Sequence, residues 1–171
     1  DTSSLNKLRQ INQSILSNEN KLNYKLKEFD LLNSIQSKEF PIYFLRLNQR
    51  GGIQSFYETG NRLVYTSKKD YLDWLSRLEQ FSQNINTSLE INEKGLANKI
   101  TQPKLVTEAV IAQISAILES DIENNPYMKV FLEADENILS SNDKNILIEN
   151  AKELIVNKIN PAYKQLNDFL I

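Results

Sequence analysis

Arg50, Gly51 and Gly52 are adjacent in the sequence, and Arg62 follows shortly after. Adjacent glycines permit positive φ and a close backbone approach. Two readings stand for this group. One is a plain turn; the other is a backbone approach to a ligand or neighbouring domain, helped by Arg50 and Arg62. A phosphate-binding loop is excluded, because no Gly-Lys-Ser/Thr follows and GxGxxG spacing is absent. Carboxylates pair at Glu90/Glu93, Asp121/Glu123 and Asp135/Glu136. Acid–base work needs a raised pKa in such a pair, and polar helix faces or loops do not raise it. These pairs read as solvated, and Asp135-Glu136-Asn137 lacks EF-hand spacing. Trp74, with Tyr71 on the same helix seam, reads as core packing rather than as a stacking platform.

Composition removes whole classes of chemistry. The 171 residues include no cysteine and no histidine. A disulfide framework, a thiol nucleophile and a thiolate metal site are excluded, as are a Ser-His-Asp triad and an HExxH motif. Serines without a base make no active site. No catalytic residue and no metal ligand is therefore assigned, and no cofactor is expected in this chain. Apolar residues at 40% and charged residues at 25% indicate one globular domain, long enough to bury a core. The net charge of −2 argues against nucleic acid as a partner. Residues 1–66 carry nine basic and six acidic groups, whereas residues 101–171 carry six and eleven. This reads as two solvated faces of opposite sign. No apolar run reaches the roughly 18–20 residues a bilayer requires, so no transmembrane segment is expected. The chain starts at Asp1 and stops on Phe169-Leu170-Ile171 without a polar tail. That pattern reads as the N-terminal fragment of a longer chain, with any leader removed.

The elements that would position these residues are helical. In 5–36, Leu8, Ile11, Ile15, Leu22, Leu26, Phe29, Leu32 and Ile35 form one stripe, with a break allowed near Asn18 and Asn20. Residues 37–66 lose the period and read as one long irregular loop; Ile42 to Leu47 fits a short strand or a helical turn. Residues 67–95 are the strongest helix. Ser67 and Asp70 form a capping box, Tyr71, Leu75, Leu78, Ser82, Ile85, Leu89, Asn92 and Leu96 form the seam, and Gly95 stands at C′. The next helix spans 102–121, with Thr101 as N-cap and Pro103 in the first turn. A short helix is expected after Pro126, with Tyr127, Val130 and Phe131 inward. The last segment, 141–170, opens on Ser140 and Asp143. Pro161 either kinks it or, the favoured reading, restarts it with Asn160 as N-cap. The expected fold is all-α, a bundle of five or six helices around the 37–66 loop.

One longer pattern is more specific. Ser67-Lys68-Lys69-Asp70-Tyr71-Leu72-Asp73-Trp74-Leu75-Ser76-Arg77-Leu78 is followed by Ile85 and Glu93-Lys94-Gly95. Then come Ile100-Thr101-Gln102-Pro103-Lys104-Leu105-Val106, Asn160-Pro161-Ala162-Tyr163-Lys164-Gln165-Leu166 and Phe169-Leu170. In order and spacing this resembles the bacterial domain-of-unknown-function family 885, over most of residues 22–171. The resemblance implies long, almost all-helical, zinc-metallopeptidase-like proteins, often with lipoprotein or secretory leaders. Their zinc-binding helix lies downstream of the Pro-Ala-Tyr segment, where this sequence ends. It further implies a non-catalytic N-terminal part that serves as scaffold and substrate-cleft wall. The partners so implied are the remainder of the parent chain and a peptide substrate. Zinc would sit in the full-length parent, and the compartment would be periplasmic or that of a membrane-anchored lipoprotein. The candidate contact surface is the 40–66 loop with Arg50, Gly51, Gly52 and Arg62. The other reading is a stand-alone helical module that binds a protein or peptide.

Overall fold

Caps and helix-breaking residues divide the chain into seven helices with no strand, so the fold is all-α as expected. The computed structural model describes residues 1–171, which form two compact units, Asp1–Ile42 and Tyr43–Ile171. No helix is long and apolar enough to cross a membrane.

The first unit is a helical hairpin of α1 (Thr2–Arg9) and α2 (Asn18–Gln36). The break falls earlier than the two asparagines suggest. The Asn12 side chain accepts from the Ser14 N–H, and the Ser17 hydroxyl caps α2 by accepting from the Asn20 N–H at 3.2 Å. Asp1 accepts from the Ser34 hydroxyl and pairs with Lys38, while Arg9 pairs with Glu28, which sets the helices antiparallel. The apolar stripe of the sequence is not the buried face. Leu5, Tyr24 and Leu31 are buried, whereas Leu22, Leu26, Phe29 and Leu32 are exposed. The reason is that α2 carries apolar residues on two opposite faces, and α1 covers only one of them.

After the 3-10 turn at Ile42–Phe44, the second unit continues with another at Ile53–Ser55, then α3 (Tyr57–Arg62). A six-residue helix thus forms inside the segment expected to be irregular. It forms there because Gly60 allows its backbone to lie flat on the Trp74 indole. A Cβ at Gly60 would sit 2.3 Å from the Trp74 Cζ2. The long α4 (Lys68–Ala97) starts at the expected capping box. Asp70 Oδ2 accepts from the Thr66 and Ser67 N–H groups, each at 2.8 Å, and from both hydroxyls. The Thr66 N–H and the Ser67 hydroxyl hold the Asp70 carboxyl below its usual pKa. The buried face of α4 is Tyr71, Trp74, Leu78, Phe81, Ile85, Ser88, Asn92 and Gly95. Trp74 and Phe81 take the interior positions where the seam reading placed Leu75 and Ser82, so the core face is rotated toward the aromatics. Gly95 is not a C′ residue. It lies within the helix, where a Cβ would meet the Ile100 carbonyl at 2.7 Å, and Lys99 takes the left-handed conformation instead at φ 61°.

Helix α5 (Lys104–Glu119) begins later than expected, because Pro103 is extended at ψ 141° and serves as the N-cap in place of Thr101. Its carbonyl accepts from Val106 and Thr107. Asn125 is buried, and its Oδ1 accepts from the Tyr127 N–H. This turn drives Tyr127 and Met128 into the core ahead of α6 (Lys129–Leu132). Helix α7 runs as Ser141–Leu154, widens through one π turn at Ile155–Ile159, and continues as Asn160–Leu170. The favoured restart at Asn160 does not occur. The Asn160 N–H bonds the Ile155 carbonyl five residues back, so the wider turn accommodates Pro161 without ending the helix. The later half of α7 packs on α4 and α5. Val110, Ile114, Phe131, Ile155, Ile159 and Tyr163 close the core around α4.

Candidate functional site

Residues 47–55 fold back on themselves and are pinned from three directions by glutamine side chains. Gln102 Nε2 donates to the Leu47 carbonyl at 2.8 Å. Gln54 Nε2 donates to the Asn48 carbonyl at 2.8 Å, and Gln113 Nε2 to the Gln49 carbonyl at 2.9 Å. Three successive backbone carbonyls are thus each met by a side-chain amide. Gln54 Nε2 also donates to Gln113 Oε1 at 2.7 Å, which ties the loop to α5. Leu47 is buried in the main core and anchors the segment from its other end. Within the loop, the Asn48 side chain accepts from the Arg50 N–H at 2.9 Å, and its carbonyl accepts from the Gly52 N–H at 2.9 Å. Such turns leave little backbone freedom around Arg50.

Beside this loop lies a cavity of about 350 Å³, lined by residues of the loop, α3, α5 and the Ser120–Pro126 turn. Arg50 and Glu58 supply its charge, and Gln49, Gln54, Ser55 and Gln113 supply amide and hydroxyl groups. Gln54 is 2% exposed, yet its Oε1 has no hydrogen-bond partner. Arg50 is exposed and forms no ion pair. A guanidinium with free donors beside fixed amides suits a ligand that carries a carboxylate and amide groups.

The four residues singled out from sequence separate here. Arg50 lines the cavity. Arg62 does not; it bonds Glu58 through the Glu58 carbonyl at 3.1 Å and the carboxylate at 3.4 Å, on the outside of α3. Gly51 and Gly52 line a different cavity of about 340 Å³ with Arg46, Phe56 and Phe81. Neither glycine has positive φ. Gly52 is required by contact, because a Cβ would lie 2.5 Å from Gln54 Oε1 and 2.6 Å from the Asn48 carbonyl. A Cβ at Gly51 would meet nothing within 4 Å. The carboxylate pairs all lie at exposed positions, and no group of three or more His, Cys, Asp or Glu side chains is arranged to hold a metal ion. Gln54, Gln102 and Gln113 were not singled out from sequence, because a glutamine on a helix or in a polar loop looks solvated until its hydrogen-bond partner is known; of the three only Gln54 is buried.

Behind the cavity runs a buried tyrosine pair. Tyr163 donates to the Ile53 carbonyl at 3.0 Å, and the Tyr127 and Tyr163 hydroxyls are 2.7 Å apart. The single Tyr163 proton is committed to a carbonyl that can only accept, so Tyr127 donates to Tyr163. Burial pushes both phenols above their ordinary pKa. Tyr57, which lines the cavity, packs edge-on against Tyr127 at 5.7 Å between ring centres.

The chain is thus an all-α domain in which a glutamine-pinned loop borders a polar cavity. The family it falls in is defined by the whole length of the chain: the model for "Bacterial protein of unknown function (DUF885)" matches residues 1–171, and the chain belongs to that family. No curated protein and no solved structure matches it.

Proposed function

We propose that this chain is the non-catalytic N-terminal helical region of a zinc-metallopeptidase-like protein, where it serves as scaffold and as one wall of the peptide cleft. The observation that carries this reading is the Arg50 cavity. Its loop is held by three glutamine amides before any ligand arrives, so little ordering cost falls on binding. Arg50 receives a peptide carboxylate, and the cavity's amide and hydroxyl groups meet the peptide backbone. Family membership over residues 1–171 supports the same reading. In this reading hydrolysis belongs to residues outside this chain, because a chain without histidine has no HExxH-type metal-binding helix. The test is the native reading frame beyond Ile171, followed by kinetics on the full polypeptide. The expected frame encodes a helix with two histidines and a glutamate. Arg50→Ala in that polypeptide is expected to raise KM about tenfold or more while sparing kcat, as loss of one charge-assisted carboxylate contact would. A stop codon directly after Ile171, or an unchanged KM, refutes the proposal. Peptide binding by the chain alone in the stop-codon case would instead mark a stand-alone binding module.

A further inference from the structure

The outward face of α2 has the pattern of a two-stranded seam. Leu22, Leu26 and Phe29 follow at steps of four and three and are 59%, 55% and 63% exposed, while α1 occupies the opposite face. Asn33 comes four residues later. These are d, a, d and a positions of a heptad. Lys25 directly precedes the core position Leu26, and Asp30 directly follows the core position Phe29. They are therefore g and e residues five apart, the spacing that meets across a parallel pair. Neither forms an ion pair within its own chain. An antiparallel pairing through this face would set Lys25 level with Leu32 and Asp30 level with Asn23 of the other copy, so the two charges would not meet. Asn33 at an a position meets its own copy only in a parallel, in-register arrangement, and such an asparagine fixes register and strand number.

From this charge complementarity we propose that the Leu22–Leu26–Phe29 face of α2 is the seam of a parallel, in-register homodimer, with Lys25 against the partner subunit's Asp30. The seam is independent of the Arg50 cavity.

Light scattering and sedimentation on the full polypeptide, with the 171-residue chain beside it, test this directly. A particle of twice the chain mass is expected at tens of micromolar, weakening with salt. Leu26→Glu is expected to give monomer with an unchanged helical circular dichroism spectrum, because the side chain it replaces is exposed. Lys25→Glu is expected to weaken the dimer about tenfold, and Lys25→Glu/Asp30→Lys to restore it. The absence of native cysteine makes cross-linking clean. Asn33→Cys is expected to give a disulfide-linked dimer on mild oxidation, since in-register a positions lie within disulfide reach. Monomer at 100 µM overturns the proposal and leaves the face to a different partner. Cross-linking through Leu26→Cys but not through Asn33→Cys also overturns it, because only an antiparallel pairing behaves that way. So does a charge swap that fails to restore the dimer.

Discussion

The buried tyrosine pair makes an asymmetric prediction. Tyr127 and Tyr163 are at most 1% exposed, and their hydroxyls form a chain that ends on the Ile53 carbonyl. Removing the Tyr163 hydroxyl leaves the Tyr127 O–H without an acceptor, although its oxygen still faces the Tyr57 N–H, and takes the better donor from Ile53. The Ile53 carbonyl keeps only the Phe56 N–H, at 3.4 Å. A buried polar group without a partner costs about 1–3 kcal/mol, so Tyr163→Phe should destabilise by about 2–3 kcal/mol. Removing the Tyr127 hydroxyl leaves Tyr163 still donating to Ile53, at a cost of about 1 kcal/mol. For a domain of this size each kcal/mol lowers Tm by about 2–4 °C. Thermal melts followed at 222 nm should therefore place Tyr163→Phe about 4–12 °C below the parent, with Tyr127→Phe in between. The double variant carries the sharper consequence. Once Tyr163 is phenylalanine, the second substitution removes an O–H that has lost its acceptor, so the double variant should cost clearly less than the sum of the two single variants. Equal costs for the two single variants, or additive costs in the double, would refute the assigned direction of donation.

Other outcomes follow from the same geometry. Gly52→Ala should cost about 1–3 kcal/mol in thermal or urea melts, because the added Cβ meets the Asn48 carbonyl, whereas Gly51→Ala should stay within about 0.5 kcal/mol. Alkaline pH should unfold the protein. Burial pushes Tyr65 up to about 12 and raises Tyr127 and Tyr163 as well. Folded-state values above the unfolded value of about 10 mean that this stability is complete below pH ~10 and is lost as pH rises further. A tyrosinate absorbance titration of the native chain should lag behind that of the urea-unfolded chain; coincident curves would disprove it.

What could be read from sequence follows the range of the interaction. The Ser67–Asp70 and Ser140–Asp143 caps were legible because each is closed within three residues. The inward Tyr127, Val130 and Phe131 were legible for the same local reason, with Pro126 fixing where α6 starts. The α2 stripe misled because periodicity reports an apolar face without saying which partner covers it. Tyr24 and Leu31, the residues α1 buries, are fewer and less regular than Leu22, Leu26 and Phe29. Pro161 misled because helix rules offer kink or restart, and the π turn at Ile155–Ile159 is a third solution that core packing on α4 and α5 rewards.

The Arg50 cavity marks the other limit. Arg50 was legible as a charged group beside glycines, but what fixes it was not. Gln54 and Gln113 bond each other across 59 residues of sequence, and Gln113 reaches Gln49 across 64. No local pattern distinguishes a glutamine that holds a backbone carbonyl from one that faces water. Gly52 shows the same thing from the other side. Its value was expected to be conformational, yet its φ is ordinary and its role is steric, set by the Gln54 side chain that packs against it. The cavity therefore stands or falls with contacts that only the fold creates. Loosening Gln113 should disturb Arg50 even though the two residues belong to different elements.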